Sequence, residues 1–215
     1  MRYYISDCHF YHRNLLTSMD MRPFSSVEEM NETMIEKWNR KVRKNDDVVI
    51  LGDLSLAKGK ETNAVVSRLN GHLFLIRGNH DDKYLCDPDF DISRFGWVRD
   101  YTELHDNKKK ICLMHYPVFC YNKQNALNTE GKPTSFMLHG HIHNTYDQVL
   151  VDRFISETRE SKRLLAHHDE ETNIPCQMIN CFCMYSDYTP LTLDEWIECD
   201  RERRRKLGLE LDFRL

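Results

Sequence analysis

A chain of 215 residues with a formal net charge of −4 is long enough for one substantial core and carries no basic field, so bulk nucleic-acid binding is not expected. No uncharged apolar run approaches the ~18 residues of a membrane span, and residues 1–7 lack a basic segment leading into an apolar one, so a soluble, cytoplasmic protein without membrane contact is expected. The eight cysteines form no CxxC pair, and several lie in apolar runs, which reads as reduced core thiols and not as a disulfide framework.

Residues 2–6 (RYYIS) read as a first strand. Ser25 and Ser26, each three residues before Glu28 and Glu29, form a capping-box pattern, and Val27, Met30, Met34, Trp38 and Val42 then recur at helical spacing, which predicts an amphipathic helix laid on a sheet. Residues 47–51 (DVVIL) read as a strand covered on both faces, a helix is predicted over about 61–69 with Asn70-Gly71 as its stop, and residues 72–76 read as a third strand. This β-α-β-α-β order implies a parallel sheet with right-handed crossovers.

The rhythm then changes. Residues 101–115 look like an antiparallel pair joined by a polar turn at 106–109, and 134–140 and 177–184 read as further strands. The charged stretch 146–172, with Val149, Leu150, Phe154, Ile155 and Leu164 inside it, is predicted to be a helical insertion within a single domain spanning 1–215. A C-terminal helix and tail occupy about 192–215, with Thr192 and Glu195 as a capping box and Gly208 as a stop. The basic run 201–206 reads as a solvated helix face, and Leu207, Leu209, Leu211, Phe213 and Leu215 alternate as in an edge strand.

The residues just beyond each apolar run are chemically selective. The first strand leads into Asp7 and His9, the second into Gly52 and Asp53, and the third into Gly78, Asn79, His80 and Asp81; later strands lead into His115 and into Gly140, His141 and His143. Open α/β sheets bind ligands at the carboxyl ends of their strands, whereas turn chemistry alone has no reason to choose histidine repeatedly. Asp7 and His9, like His141 and His143, are two apart and in extended backbone would share a side, while the glycines permit close approach. Asp7, His9, Asp53, Asn79, His115, His141 and His143 are too many for one closed tetrahedral site and suit two divalent ions, with Mn²⁺ the first expectation for mixed Asp, Asn and His ligands and Fe, Zn or Ni also compatible. A bridging aspartate would set such ions ~3.5–4 Å apart.

The motifs D-x-H, G-D, G-N-H-[D/E], H and G-H-x-H occur complete and in order as Asp7-Cys8-His9, Gly52-Asp53, Gly78-Asn79-His80-Asp81, His115 and Gly140-His141-Ile142-His143. In these, over about residues 1–195, the sequence resembles the calcineurin-like metallophosphoesterases. The resemblance implies an α/β fold, a four-layer αββα sandwich of two mixed sheets flanked by helices. It places Asp7, His9, Asp53 and His143 at one ion and Asp53, Asn79, His115 and His141 at the other, with Asp53 as the bridge. His80 resembles the family's histidine that contacts the phosphate and can protonate the leaving oxygen.

The protein serine/threonine phosphatases of that family carry a longer G-D-x-x-D-R-G motif, but here Gly52-Asp53 continues as Leu54-Ser55-Leu56, which disfavours that activity and leaves Asp81 and Asp82 as candidates for orienting His80. His12, Arg22 and Arg77 are candidate substrate contacts, weighed against a surface histidine and structural ion pairs. Cys8 and His139 read as packing and strand residues, and His72, His105, His167 and His168 as surface or packing histidines. The expected function is hydrolysis of a small phosphomonoester or phosphodiester, nucleotide-type substrates included, with substrate choice in loop 116–133 and the insertion. A nuclease of the same superfamily is the nearest rival, disfavoured by the acidic charge. A non-catalytic binding scaffold is the rival from another class, disfavoured by the complete ligand set.

Overall fold

A computed structural model describes residues 1–164 and 169–209. Strands β1 (Arg2–Ile5), β2 (Asp47–Ile50), β3 (His72–Ile76) and β4 (Phe95–Arg99) form a sheet in that order, parallel throughout. An antiparallel bridge between Tyr4 and Leu191 extends its β1 edge. β5 (Tyr101–Asp106), β6 (Lys109–Met114), β7 (Ser135–His139) and β10 (Met178–Asn180) form a second, mixed sheet in the order β10-β7-β6-β5.

Strand alternation builds the layers, since successive side chains point to opposite faces. Tyr4, Val49 and Ile76 face inward and meet Ile111, Leu113, Phe136, Leu138 and Ile179 of the second sheet. Their neighbours Tyr3, Ile5, Val48, Ile50, Leu73 and Leu75 face outward onto Met30, Met34 and Trp38 of α1 (Val27–Lys41) and Val65 and Val66 of α2 (Gly59–Val66). On the far side, Cys112, Met137 and Met178 receive Val151 and Ile155 of α4 (Tyr146–Glu160), which completes an αββα order. Ser26 caps α1 by accepting from the Glu29 amide, an interaction worth about 1 kcal/mol, while the Glu29 carboxylate takes the Ser25 amide.

The structure departs from the sequence reading in several places. α2 begins earlier than expected and gives way to turns at 67–69. β4 escapes the sequence reading because it is short, half-exposed and interrupted by Gly96. Residues 177–184 yield only β10, because Ser6 just beyond β1 takes over: its amide donates to the Cys181 carbonyl and its carbonyl accepts from Cys183, which stitches the two sheets together. In the 146–172 stretch the helical reading holds for α4, but β8 (Lys162–Leu164) and β9 (Glu171–Asn173) form an antiparallel pair with too few apolar residues to betray a strand. His167, His168 and the alternating tail from residue 210 lie outside the described residues.

The basic run is not simply a solvated face. On α5 (Leu193–Lys206), which follows the short α3 (Asp82–Leu85) and α4, Arg203 grips Asp152 of α4 with two bonds of 2.7 and 2.8 Å, and Arg204 adds a third at 2.9 Å. Trp196 anchors the other end of α5 by donating its indole N–H to the Tyr4 carbonyl. Among the described residues no helix is long and apolar enough to cross a membrane.

Candidate metal centre

The loops that follow β1, β2, β3, β6 and β7 meet at one edge of the sandwich; backbone bonds join the first two and the last two, and the carboxylates of Asp7, Asp53 and Asp81 tie the rest. Asp7 N donates to Gly52 O, His9 N to Asp53 O, and Gly140 N to His115 O, at 2.9–3.0 Å. The route by which the ligand pairs converge differs from the extended one expected. Asp7, His9, Asp53, His141 and His143 all have positive φ, between 47° and 71°, so tight left-handed turns and not strand alternation aim them inward. Such backbone costs a non-glycine residue about 1–3 kcal/mol and concentrates at functional sites. Packing here leaves no room for a Cβ at three glycines: at Gly52 (φ +91°) it would fall 2.3 Å from His115 Nδ1, at Gly78 2.3 Å from Asp53 Oδ1, and at Gly140 2.5 Å from Asp7 Oδ2.

The seven expected ligands come together in two overlapping groups. In the first, His9 Nε2 and His143 Nε2 face each other at 3.1 Å, with Asp7 Oδ1 3.5 Å from His143 Nε2. In the second, Asn79 Oδ1 lies 3.1 Å from His115 Nε2 and 2.9 Å from His141 Nδ1. Asp53 Oδ2 stands between them, 3.6 Å from His9 Nε2 and 3.5 Å from His115 Nε2. The groups Asp7, His9, His143 and Asp7, Asp53, His115 each have donor atoms close enough to hold one ion. Buried imidazole nitrogens and carboxylate oxygens turned on one another, without a cysteine, fit divalent cations of the Mn, Fe or Zn type.

Without an ion these groups perturb one another strongly. Burial works against a proton on His143, but hydrogen bonds to Asp20 and Asp7 outweigh it and raise the pKa to about 9. His115 is likewise disfavoured by burial yet raised to about 9 by the hydrogen bond to Asp53 and the charges of Asp7 and Asp53. For His9, burial prevails over the nearby carboxylates and the pKa drops to about 3. Asp7 is held far below the ordinary carboxylate range, because hydrogen bonding to His143 and the charges of the surrounding histidines overcome burial.

His80 reaches the same place from the solvent side. Its ring is 43% exposed, with Nε2 3.9 Å from Asp53 Oδ2, and its backbone amide donates to Asp53 Oδ1. Neither aspartate proposed to orient it does so. Asp81 is buried and accepts from the amides of Asp53, Leu54 and Gly78 and from the Tyr84 hydroxyl, so it locks the loops after β2 and β3 together. Burial and the Asp53 charge push its pKa to about 6. Asp82 pairs with Arg77.

Two of the three expected substrate contacts turn out to be structural. The Arg22 side chain is fully buried and bonds to Asp20 and to the carbonyls of Asp7 and Cys8. Arg77 is spent on Asp100 and Asp82 at the surface. His12 does approach the centre, its ring 5.4 Å from that of His9 and its Nδ1 buried without a hydrogen-bond partner among the described residues. Asp20, which sequence reasoning missed, accepts a 2.7 Å bond from His143 Nδ1. It lies on a loop with no strand-end pattern to mark it. Asp20, Met19 and Thr145 rim a cleft of about 330 Å³ over Asp53, His80 and the paired histidines. A neighbouring cleft of about 390 Å³ shares that rim and is walled by Asn144, Phe182, Met184 and Tyr185.

The sequence profile described as calcineurin-like phosphoesterase matches residues 3–196. An uncharacterized protein of Methanocaldococcus jannaschii is 36% identical over 195 residues, covering 89% of this chain and 86% of that one. The Gene 66 protein of Mycobacterium phage L5 is 33% identical over 161 residues, covering 66% and 77%. Among solved structures, a protein of unknown function from Aquifex aeolicus shares the fold with a TM-score of 0.57 at 22% identity, over 91% of this chain and 96% of that one.

Proposed function

The chain belongs to the calcineurin-like phosphoesterase family, and on that premise we propose that it is a hydrolase of small phosphate monoesters or diesters with a two-ion centre, Mn²⁺ foremost. The observation that carries this reading is the meeting of Asp53 Oδ2 with the rings of His9, His115 and His80 at 3.5–3.9 Å under an open cleft. Asp7, His9, Asp53 and His143 would hold one ion and Asp53, Asn79, His115 and His141 the other. When bound, the ions supply Lewis acidity toward the phosphate and the attacking water.

The chain's own groups do the rest. His80, 43% exposed beside the buried Asp53, holds at Nε2 the proton that departs with the alcohol. His12, its ring 5.4 Å from that of His9, is a further contact for the phosphate oxygens. The paired clefts, of about 330 and 390 Å³, suit a small phosphorylated substrate whose alcohol portion lies against Met184 and Tyr185. The net charge of −4 argues against a nuclease. The eight free cysteines accord with a reducing compartment such as the cytoplasm.

Purified protein with Mn²⁺, assayed against phosphomonoesters, linear diesters, cyclic nucleotides and DNA, is expected to turn over small esters and spare DNA. Turnover of DNA alone would establish the nuclease reading, and none on any substrate with ions bound would favour a binding scaffold.

The same geometry makes metal binding depend on pH. Nε2 faces the centre in both His115 and His143, and each ring has a pKa raised from 6.5 to about 9, so at neutral pH each holds a proton that ligation must displace. Mn²⁺ binding is therefore expected to release about two protons per chain and to strengthen as pH rises, levelling off above about 9. Calorimetry in buffers of differing ionisation enthalpy measures that release; an affinity flat from pH 6.5 to 9 would contradict it.

A further inference from the structure

We propose that Asp20 is a positioning residue: clamped by Arg22, it aims the His143 ring through Nδ1 and so sets the affinity of the metal locus that His143 serves, separately from the other locus. The inference rests on the two-ion reading above.

Asp20 sits on the loop after the single helical turn Arg13–Leu16, and its side chain is only 7% exposed. One carboxylate oxygen, Oδ1, takes His143 Nδ1 at 2.7 Å. The other, Oδ2, is held by Arg22 through Nη2 at 2.9 Å and Nε at 3.1 Å. Arg22 is itself fastened to the turn that carries Asp7 and His9, donating from Nη2 to the Asp7 carbonyl at 2.9 Å and from Nη1 to the Cys8 carbonyl at 2.8 Å. The Phe182 and Tyr188 rings lie 5.9 and 5.7 Å from the guanidinium carbon. The carboxylate is thus a fixed post, tied to the backbone of one ligand pair and reaching a ligand of another.

The tie determines what His143 can present. A carboxylate on Nδ1 keeps the proton there, and Phe182 stacks on the ring at 4.6 Å, so the ring can neither flip nor tilt freely. Nε2 is left facing His9 Nε2 and Asp7 Oδ1. His115, in the other group, has the same design with a different acceptor: its Nδ1 donates to the Leu51 carbonyl at 2.7 Å, a backbone group that no substitution of a side chain removes. Because Arg22 neutralises much of the Asp20 charge, the pair contributes direction more than field. Outer partners of metal-bound histidines are worth ~10–100-fold in affinity.

The test is titration of the metal-free full-length chain with Mn²⁺ alone, by calorimetry, for the wild type, Asp20→Ala and Asp20→Asn, with thermal melting of the same metal-free samples. The wild type should bind in two steps. Asp20→Ala should weaken one step by ~10–100-fold and leave the other unchanged. Asp20→Asn keeps one acceptor where the carboxylate has two, so its oxygen serves either His143 Nδ1–H or the Arg22 guanidinium; it should weaken the same step alone, by no more than alanine does, and it also serves if the alanine variant fails to fold. A folded Asp20→Ala with both steps unchanged, or both weakened alike, would overturn the proposal, as would an asparagine variant that weakens the other step. A wild type that lacks two steps would overturn the two-ion reading and this inference with it, whereas two intact steps in both proteins would sink the positioning role alone.

Discussion

Asp53→Asn is expected to empty the centre of manganese and to lower kcat/KM by more than the ~10–100-fold that loss of an outer-shell partner costs. The carboxylate is almost fully buried between the two groups of ligands, and its Oδ2 lies within 3.6 Å of an imidazole from each. An amide in its place has the same shape and can still accept the His80 amide at Oδ1. It brings a neutral NH₂ to the position between two cations, where the hydrogens repel the ions. The fold should survive, because the loops that meet here are also tied by Asp81 and by backbone bonds. Metal per chain measured beside kcat/KM checks the prediction: wild-type metal content with full activity would remove the two-ion reading.

The parts of this centre that are legible in the sequence are those in which chemistry displaces ordinary turn residues. Histidine at the ends of several apolar runs has no structural motive, so Asp7, His9, Asp53, Asn79, His115, His141 and His143 stand out, and the structure does bring them together. Illegible are features created only when distant segments meet. Asp20 touches His143 across 123 residues, and nothing in the sequence around it announces that pairing. Arg22 reads as a phosphate ligand because arginine near a metal motif invites that interpretation, yet its environment is three fixed acceptors and two aromatic rings. Arg203 misleads for the same reason, since its partner Asp152 lies on a helix 51 residues earlier.

Fold and site also differ in how local preferences act. α1 can be read because capping and apolar spacing agree over 15 residues. The left-handed turns at Asp7, His9, His141 and His143 oppose local preference, and hydrogen bonds from distant segments brace them. The expectation that each pair converges in extended backbone is correct in outcome and wrong in geometry. Because strained turns bonded across the sheet edge aim the ligands, variants that loosen those turns should lose metal before they lose fold.

His80→Ala should keep both ions and lose ~10²–10⁴-fold in rate, the range of general acid–base catalysis. Unlike Asp7, His9, Asp53, His115 and His143, which are buried, its side chain is 43% exposed, and its ring is 3.9 Å from the Asp53 carboxylate, so its removal leaves those buried donors in place. If the ring delivers a proton to the departing oxygen, the loss depends on what departs. An alkoxide needs that proton, whereas p-nitrophenolate is stable enough to leave largely unaided, so alkyl esters should suffer far more than p-nitrophenyl esters. Contact between the ring and the phosphate oxygens would add a loss common to both. Measuring kcat/KM for the two ester types, with metal content determined on the same samples, separates the contributions. Equal losses with ions retained would reduce His80 to electrostatic stabilisation, and loss of the ions would make it part of the metal centre itself.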